Sequence, residues 1–397
     1  MTDGEDEQLP VASFGGRAKR VERDELRAYL IRLDAMWASA GDRVDEADAF
    51  RKRLGSKYAD GFQSLDRMLE EAMDAADWAS SALDGLRANA ADGQQVQYYA
   101  VIKGLCARAL KTFGEVLWLL KGGYPDGATA RARTLHEIAV TITVIAVYGG
   151  PGRQYPELVD RFVTHREAMV PRFARSLVAS GMREATDILD EETLLGLEAR
   201  RRELAEQYGK DFVQPNGWAA PLFKPKTRIT ISALMKLVSP SFEFYYSMAS
   251  HPVHADSDGW HSAIVRDGHD VVLSAGMTNL GLGLPAEVAS LLLLHVLDAT
   301  VPTRVVTGKR VDTSGAFLLA GIEHFRDIGM QAIKTAEEAI LAAEAALGQR
   351  SAGPDGTASD SRQSAPESNV TCPGFPGHLS WGDDRPGEGV RDACCEA

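Results

Sequence analysis

The sequence predicts an all-α protein: a helical bundle around a central antiparallel hairpin, with a small β-ribbon near 263–273. Three observations predict it. Good helix formers, Ala, Leu, Glu and Arg, dominate the composition. Apolar residues recur at three- and four-residue spacings along most of the chain. The two most hydrophobic of these segments are joined by "GGYPDG", a link so short that the helices on either side must run antiparallel. A length of 397 residues with 45% hydrophobic content is enough for a well-buried core.

Taken in order, residues 1–18 read as disordered and 19–90 as a helical extension of charged, amphipathic helices at about 21–41 and 46–89. A helical core domain covers 91–348, and 349–397 is a disordered tail rich in Ser, Gly, Pro and Asp. Within the core, "QQVQYYAVIKGLCARALKTFGEVLWLLKGG" and "ATARARTLHEIAVTITVIAVYGG" form the hairpin. Gly122, Gly123 and Pro125 stop its first helix, and Asp126 is placed to cap the second. Further helices are expected at about 156–180, 183–208, 228–249, 284–300 and 314–347. "IVRDGHDVVL" reads as two strands turning at Asp267 and Gly268, the one hairpin signal of this kind in the chain.

A formal net charge of -13 gives no global attraction to nucleic acid or an anionic membrane. Cys372, Cys394 and Cys395 lie in the tail and only Cys106 sits in a helical pattern, so a disulfide framework is not expected and a reducing cytoplasm is. The acidic start has no secretory-leader pattern. The apolar runs "IAVTITVIAVYGG" and "VASLLLLHVL" fall short of the ~20 residues that span a bilayer, so no membrane partner is expected.

The chemistry of interest begins in "RARTLHEIAV". At ~100° per residue, Leu135, Ile138, Ile142 and Ile145 share one side with Arg131, while Val140, Val144 and Val147 share the other with Arg133 and Glu137. Apolar residues on both sides describe a helix in mid-bundle, where a charge needs a partner. Arg133 and Glu137, four apart, are expected in a buried polar network. The alternative uses Arg131 and His136. An arginine followed after four to six residues by a histidine resembles the motif of HEPN ribonucleases, and the resemblance implies metal-free RNA cleavage in stress or phage defence. His136 would assist attack by the ribose 2′-hydroxyl and Arg131 would hold the phosphate, with RNA as the partner under this reading only. Ala132 stands where such enzymes usually carry a polar residue.

Two stretches, "GGYPDGATARARTLHEIAV" and "YYSMASHPVHADSDG", resemble an uncharacterised, widespread bacterial all-helical family, the domain of unknown function numbered 5677. Its Gly-Tyr turn, Asp-Gly-Ala helix start and Ala-Arg-x-Leu-x-Glu helix correspond to Gly123, Tyr124, Gly127, Ala128, Arg133, Leu135 and Glu137. Its Tyr-x-x-x-Ser-x-x-x-His segment corresponds to Tyr246, Ser250 and His254. The resemblance covers about residues 95–300. It implies a helical fold and a polar constellation of Arg133, Glu137, Ser250 and His254, but no reaction. It also moves weight from Arg131 and His136 to the interleaved pair.

"HPVHADSDGWH" gathers His251, His254, Asp256, Asp258 and His261, side chains that ligate transition metals and, with open positions, activate water for hydrolysis. Their spacing follows no metal signature, and the plainer expectation has His254 completing the Arg133 and Glu137 network. No cofactor is expected otherwise. Ser250 and His254 also suggest a nucleophilic pair, without a Gly-x-Ser-x-Gly elbow to support it. Arg200, Arg201 and Arg202 read as a solvated, salt-bridged face. The favoured expectation is a cytoplasmic, non-enzymatic interaction or regulatory module that pairs with itself or another protein through its amphipathic helices.

Overall fold

The computed structural model describes residues 23–38, 41–88, 93–180, 189–249, 264–267, 270–273, 275–307 and 310–351. The expected disordered ends lie outside these residues, apart from the last turn of the final helix. The fold is all-α. The chain divides into two units, Met1–Arg53 and Leu54–Ala397. The first holds helix α1 (Arg23–Ala38) and most of α2 (Gly41–Lys57).

The second unit is built from α3 (Ala59–Ala88), α4 (Gly93–Lys121), α5 (Pro125–Tyr148), α6 (Glu157–Ala179), α7 (Glu191–Tyr208), α8 (Ile231–Val238), α9 (Pro240–Met248), α10 (Gly283–Thr300) and α11 (Ser314–Ser351). Two 3-10 turns, Lys210–Val213 and Gly217–Leu222, lie between α7 and α8. The α4–α5 hairpin expected from sequence is at the centre: α5 packs on α4, α10 and α8, and α4 on α5, α3, α10 and α6. The link forms because Gly123 adopts φ 76°, a left-handed conformation open to glycine, while the Tyr124 N–H returns to the Leu119 carbonyl at 2.9 Å. Pro125 starts α5, where a missing N–H costs nothing, rather than merely ending α4. Asp126 sits in the first turn, but the N-cap is Tyr124, without a side-chain cap.

α3 belongs with this core. Leu65, Met68, Ala72, Ala75 and Ala79, spaced alternately by three and four residues, are all 0% exposed. The helix packs most extensively on α11, which contributes Ile322, Ile333 and Ile340. Gly61 lets the two helices approach, because a Cβ there would stand 2.6 Å from Ile333 Cγ1. The compact unit therefore starts at Leu54 rather than near 91, and the predicted helix 46–89 is divided at Tyr58, whose hydroxyl donates to the Asn279 carbonyl at 2.7 Å.

α10 is wrapped by α5, α4, α11 and α3. Its 18 residues are long and apolar enough to cross a membrane, and 56% of them are buried inside the protein. Glu337 of α11 accepts from the backbone N–H groups of Leu282 (2.8 Å) and Gly283 (3.0 Å), satisfying donors that a helix start leaves open. The expected 228–249 helix is two helices, broken where Ser239 precedes Pro240.

Strands β1 (Ile264–Asp267) and β2 (Asp270–Leu273) form the expected antiparallel ribbon, with Ile264 opposite Leu273 and Asp267 opposite Asp270. A second ribbon, β3 (Val305–Thr307) with β4 (Arg310–Asp312), was not expected from sequence. Its signal is "VVTGKRVD", two short valine-bearing runs around Gly308.

Candidate functional site

α5 buries Leu135, Ile138, Ile142 and Ile145 on one side and Val140 and Val144 on the other, as a mid-bundle helix should. Its polar residues are divided among three surroundings. Arg131 turns toward α4 and pairs with Glu115, both side chains being a little over one-third exposed. Arg133 and Glu137 turn toward α9. His136 is 0% exposed and points into the core between α9 and α10.

Tyr246 of α9 joins Arg133 to Glu137. Arg133 Nη2 donates to the Tyr246 hydroxyl at 2.6 Å, and that hydroxyl donates to Glu137 Oε1 at 3.1 Å. The guanidinium carbon lies 4.5 Å from the centroid of the same ring, so Arg133 also gains cation–π contact. Burial raises the pKa of Tyr246 from its ordinary value, with Arg133 working against the rise and Glu137 adding to it. The neutral phenol both accepts and donates, which a direct Arg133–Glu137 pair would not need. The Arg133 and Glu137 part of the expected constellation is not buried, although a buried network was expected: Glu137 is exposed, and Arg133 and Tyr246 are half-buried. The Arg–Glu pair lies along a seam between α5 and α9, because residues 133 and 137 face the short helix rather than the bundle axis.

Behind this seam, His136 meets Phe242 edge-to-face at 4.9 Å and Tyr246 at 5.7 Å. Phe242 in turn meets His295 of α10 at 4.9 Å, so one phenyl ring stands against two imidazoles. Neither ring nitrogen of His136 has a hydrogen-bond partner among the described residues. Burial, then the nearby His295, pushes its pKa down to about 4. His295 is pushed to about 4 by burial and then by Arg326. Both imidazoles are neutral near pH 7.

Arg131 and His136 do not converge: one faces Glu115 on α4 and the other Phe242 on α9, and five residues of helix set them about 140° apart. The shared groove needed by the ribonuclease reading is not formed by the described residues. Ser250, His251, His254, Asp256, Asp258 and His261 lie outside the described residues, so the metal loop and the Ser250–His254 pair have no described geometry. Among the described residues no group of three or more His, Cys, Asp or Glu is placed to hold a metal ion. A cavity lined by Thr129, Ala132, Tyr245 and Val288 lies between α5, α9 and α10. It is apolar and has room for no more than about one water molecule.

The arginine run on α7 is occupied: Arg200 pairs with Glu167 at 2.8 Å and Glu203 at 3.1 Å, and Arg201 donates to the Val213 carbonyl at 3.2 Å. Sequence reasoning missed His295, although a histidine inside "SLLLLHVLD" is itself a signal of a buried imidazole. It used Tyr246 only as a motif position and not as the bridge.

Residues 99–270 match DUF5677, a family of unknown function. The match runs from the early part of α4 through the first residue of β2, so the DUF5677 segment holds Arg133, Glu137, Tyr246, His136 and Phe242. His295 and the whole of α10 and α11 lie outside it. No curated protein and no solved structure matches the chain.

Proposed function

We propose that the chain is a non-enzymatic interaction or regulatory module, cytoplasmic, in which the Arg133–Tyr246–Glu137 network fastens α9 to α5 and shapes a surface. One observation carries this reading: Arg131 is engaged by Glu115 on α4, while His136 is closed in by Phe242 and Tyr246. A general base must reach the proton it removes. The histidine that would serve RNA cleavage is 0% exposed, and the arginine that would hold phosphate faces another helix.

The test combines stability with chemistry. Arg133→Ala removes a charge-assisted hydrogen bond and a cation–π contact, so we expect a loss of about 1–2 kcal/mol in urea unfolding. We also expect the purified protein to leave RNA intact in EDTA. RNA cut by the wild type and spared by His136→Ala would overturn the proposal.

A further inference from the structure

Trp118 of α4 is 79% exposed, more than any other large apolar side chain among the described residues. An indole is among the largest apolar surfaces a side chain presents, and tryptophan is enriched among the residues that anchor protein interfaces. Lys121 pairs with Asp66 and Lys103 with Asp84, both on α3, and Glu115 pairs with Arg131 on α5. Those two helices flank α4 and leave a solvent-facing stripe between them. Gly104, Ala107, Lys111, Gly114 and Trp118 follow one another along it at three- and four-residue spacings. Gly114 is half-buried and the other four are exposed. Trp118 therefore stands two heptads, ~21 Å, from a stretch at Gly104 and Ala107 that carries nothing larger than a methyl group. Gly104 lies inside a 29-residue helix, where glycine costs about 1 kcal/mol relative to alanine, and a Cβ there would meet nothing within 4 Å. Packing inside the molecule does not account for it.

Charge and shape indicate the occupant. α3, alongside, turns Glu70, Asp74 and Asp77 to solvent, which repels nucleic acid and an anionic membrane. A second copy of this chain fits. In a parallel two-fold pair each residue would meet itself, Lys111 against Lys111 and Trp118 against Trp118. In an antiparallel pair centred between residues 112 and 113, Trp118 lies over Ala107 and beside Gly104 of the other copy, and Lys111 lies over Gly114. The same register brings Arg108, exposed and without an ion pair among the described residues, against Glu115 of the other copy, twice by symmetry. Glu115 is a little over one-third exposed beside its own Arg131, and a carboxylate can accept from two guanidinium groups.

We infer that the outer stripe of α4 is a self-association surface that takes α4 of a second copy of this chain in antiparallel register, each Trp118 seated over Gly104 and Ala107 of the other copy. The inference rests on the proposed interaction role and names its partner. One pair of crossing helices falls at the small end of interface sizes, below about 1,200 Å² in total, so the dimer is expected to dissociate on dilution.

Sedimentation of the full chain from about 1 to 200 µM tests it, a range suited to so small an interface. The expected result is a shift from the 42.9 kDa chain mass to about twice that mass. Trp118→Ala is expected to stay monomeric throughout. Gly104→Leu should also stay monomeric while its thermal transition is unchanged or higher, because leucine is the better helix former and its side chain enters open space. Arg108→Glu and Glu115→Arg chains should each dimerise at least several-fold more weakly, and an equimolar mixture of the two should recover the wild-type affinity. A wild type that remains monomeric at the highest concentration overturns the inference, as does a Trp118→Ala or Gly104→Leu variant that dimerises equally well. A mixture that pairs no better than its components overturns the antiparallel register. None of these outcomes touches the RNA assay, which tests the non-enzymatic reading separately.

Discussion

His136 shows how a single residue can look catalytic in a sequence and be structural in the fold. Its imidazole is held neutral among Phe242, Tyr246 and, beyond Phe242, His295. Arg326 faces His295, and Arg133 and Glu137 lie on the solvent side of Tyr246. Because the folded-state pKa of His136, about 4, is below the ordinary 6.5, the unfolded chain takes up the proton first as pH falls. Its contribution is therefore whole above about pH 6.5 and drains away between there and about pH 4. At ~1.4 kcal/mol per pKa unit this amounts to about 3 kcal/mol, and His295 acts in the same direction. Urea titrations at a series of pH values should show stability falling steeply below about pH 6, and His136→Phe should remove roughly half of that slope. A slope unchanged by the substitution would contradict this account.

At the scale of elements, the decisive devices are those that fix short, irregular pieces. Arg161 of α6 is 6% exposed and donates to three carbonyls: Trp218 at 3.0 Å, Tyr208 at 3.1 Å and Gly217 at 3.2 Å. Its guanidinium also stacks on Tyr208 and Phe212, while Tyr208 donates to Asp160. Burial lowers the arginine pKa, and Glu157, Tyr208 and Asp160 oppose that. One side chain thereby satisfies the carbonyls of a loop that has no sheet or long helix to do so. Arg161→Met should cost about 3 kcal/mol or more in equilibrium unfolding, since it leaves three carbonyls without donors. A loss below about 1 kcal/mol would mean that water replaces the guanidinium easily. The same loop explains Gly217, where an added Cβ would lie 2.3 Å from the Asp211 and Phe212 carbonyl oxygens.

For the whole molecule, the pairing of α3 with α11 brings together helices more than 220 residues apart and completes the wrapping of α10. The core should therefore unfold as one body that needs α11 but not α1. Deleting residues 1–40 is expected to leave the main thermal transition within about 2 °C of the full chain, and deleting 314–397 to abolish it. Calorimetry of the two truncations decides this. Loss of the transition in the shorter deletion would show that the N-terminal unit supports the core.

Sequence alone determined the helical class, the α4–α5 hairpin and the β1–β2 ribbon. These depend on local signals: three- and four-residue periodicity, a glycine able to take positive φ, and short valine-bearing runs on either side of a turn. It also singled out Arg133 and Glu137. Tertiary structure decided what each polar residue faces, because residues a few positions apart on one helix point to different neighbours. That is why Arg131 meets Glu115, His136 meets Phe242, and Arg133 reaches Glu137 through Tyr246 from a helix more than a hundred residues away. The attachment of α3 to α11 was equally illegible, since periodicity reports that a face is apolar and not which distant face will cover it.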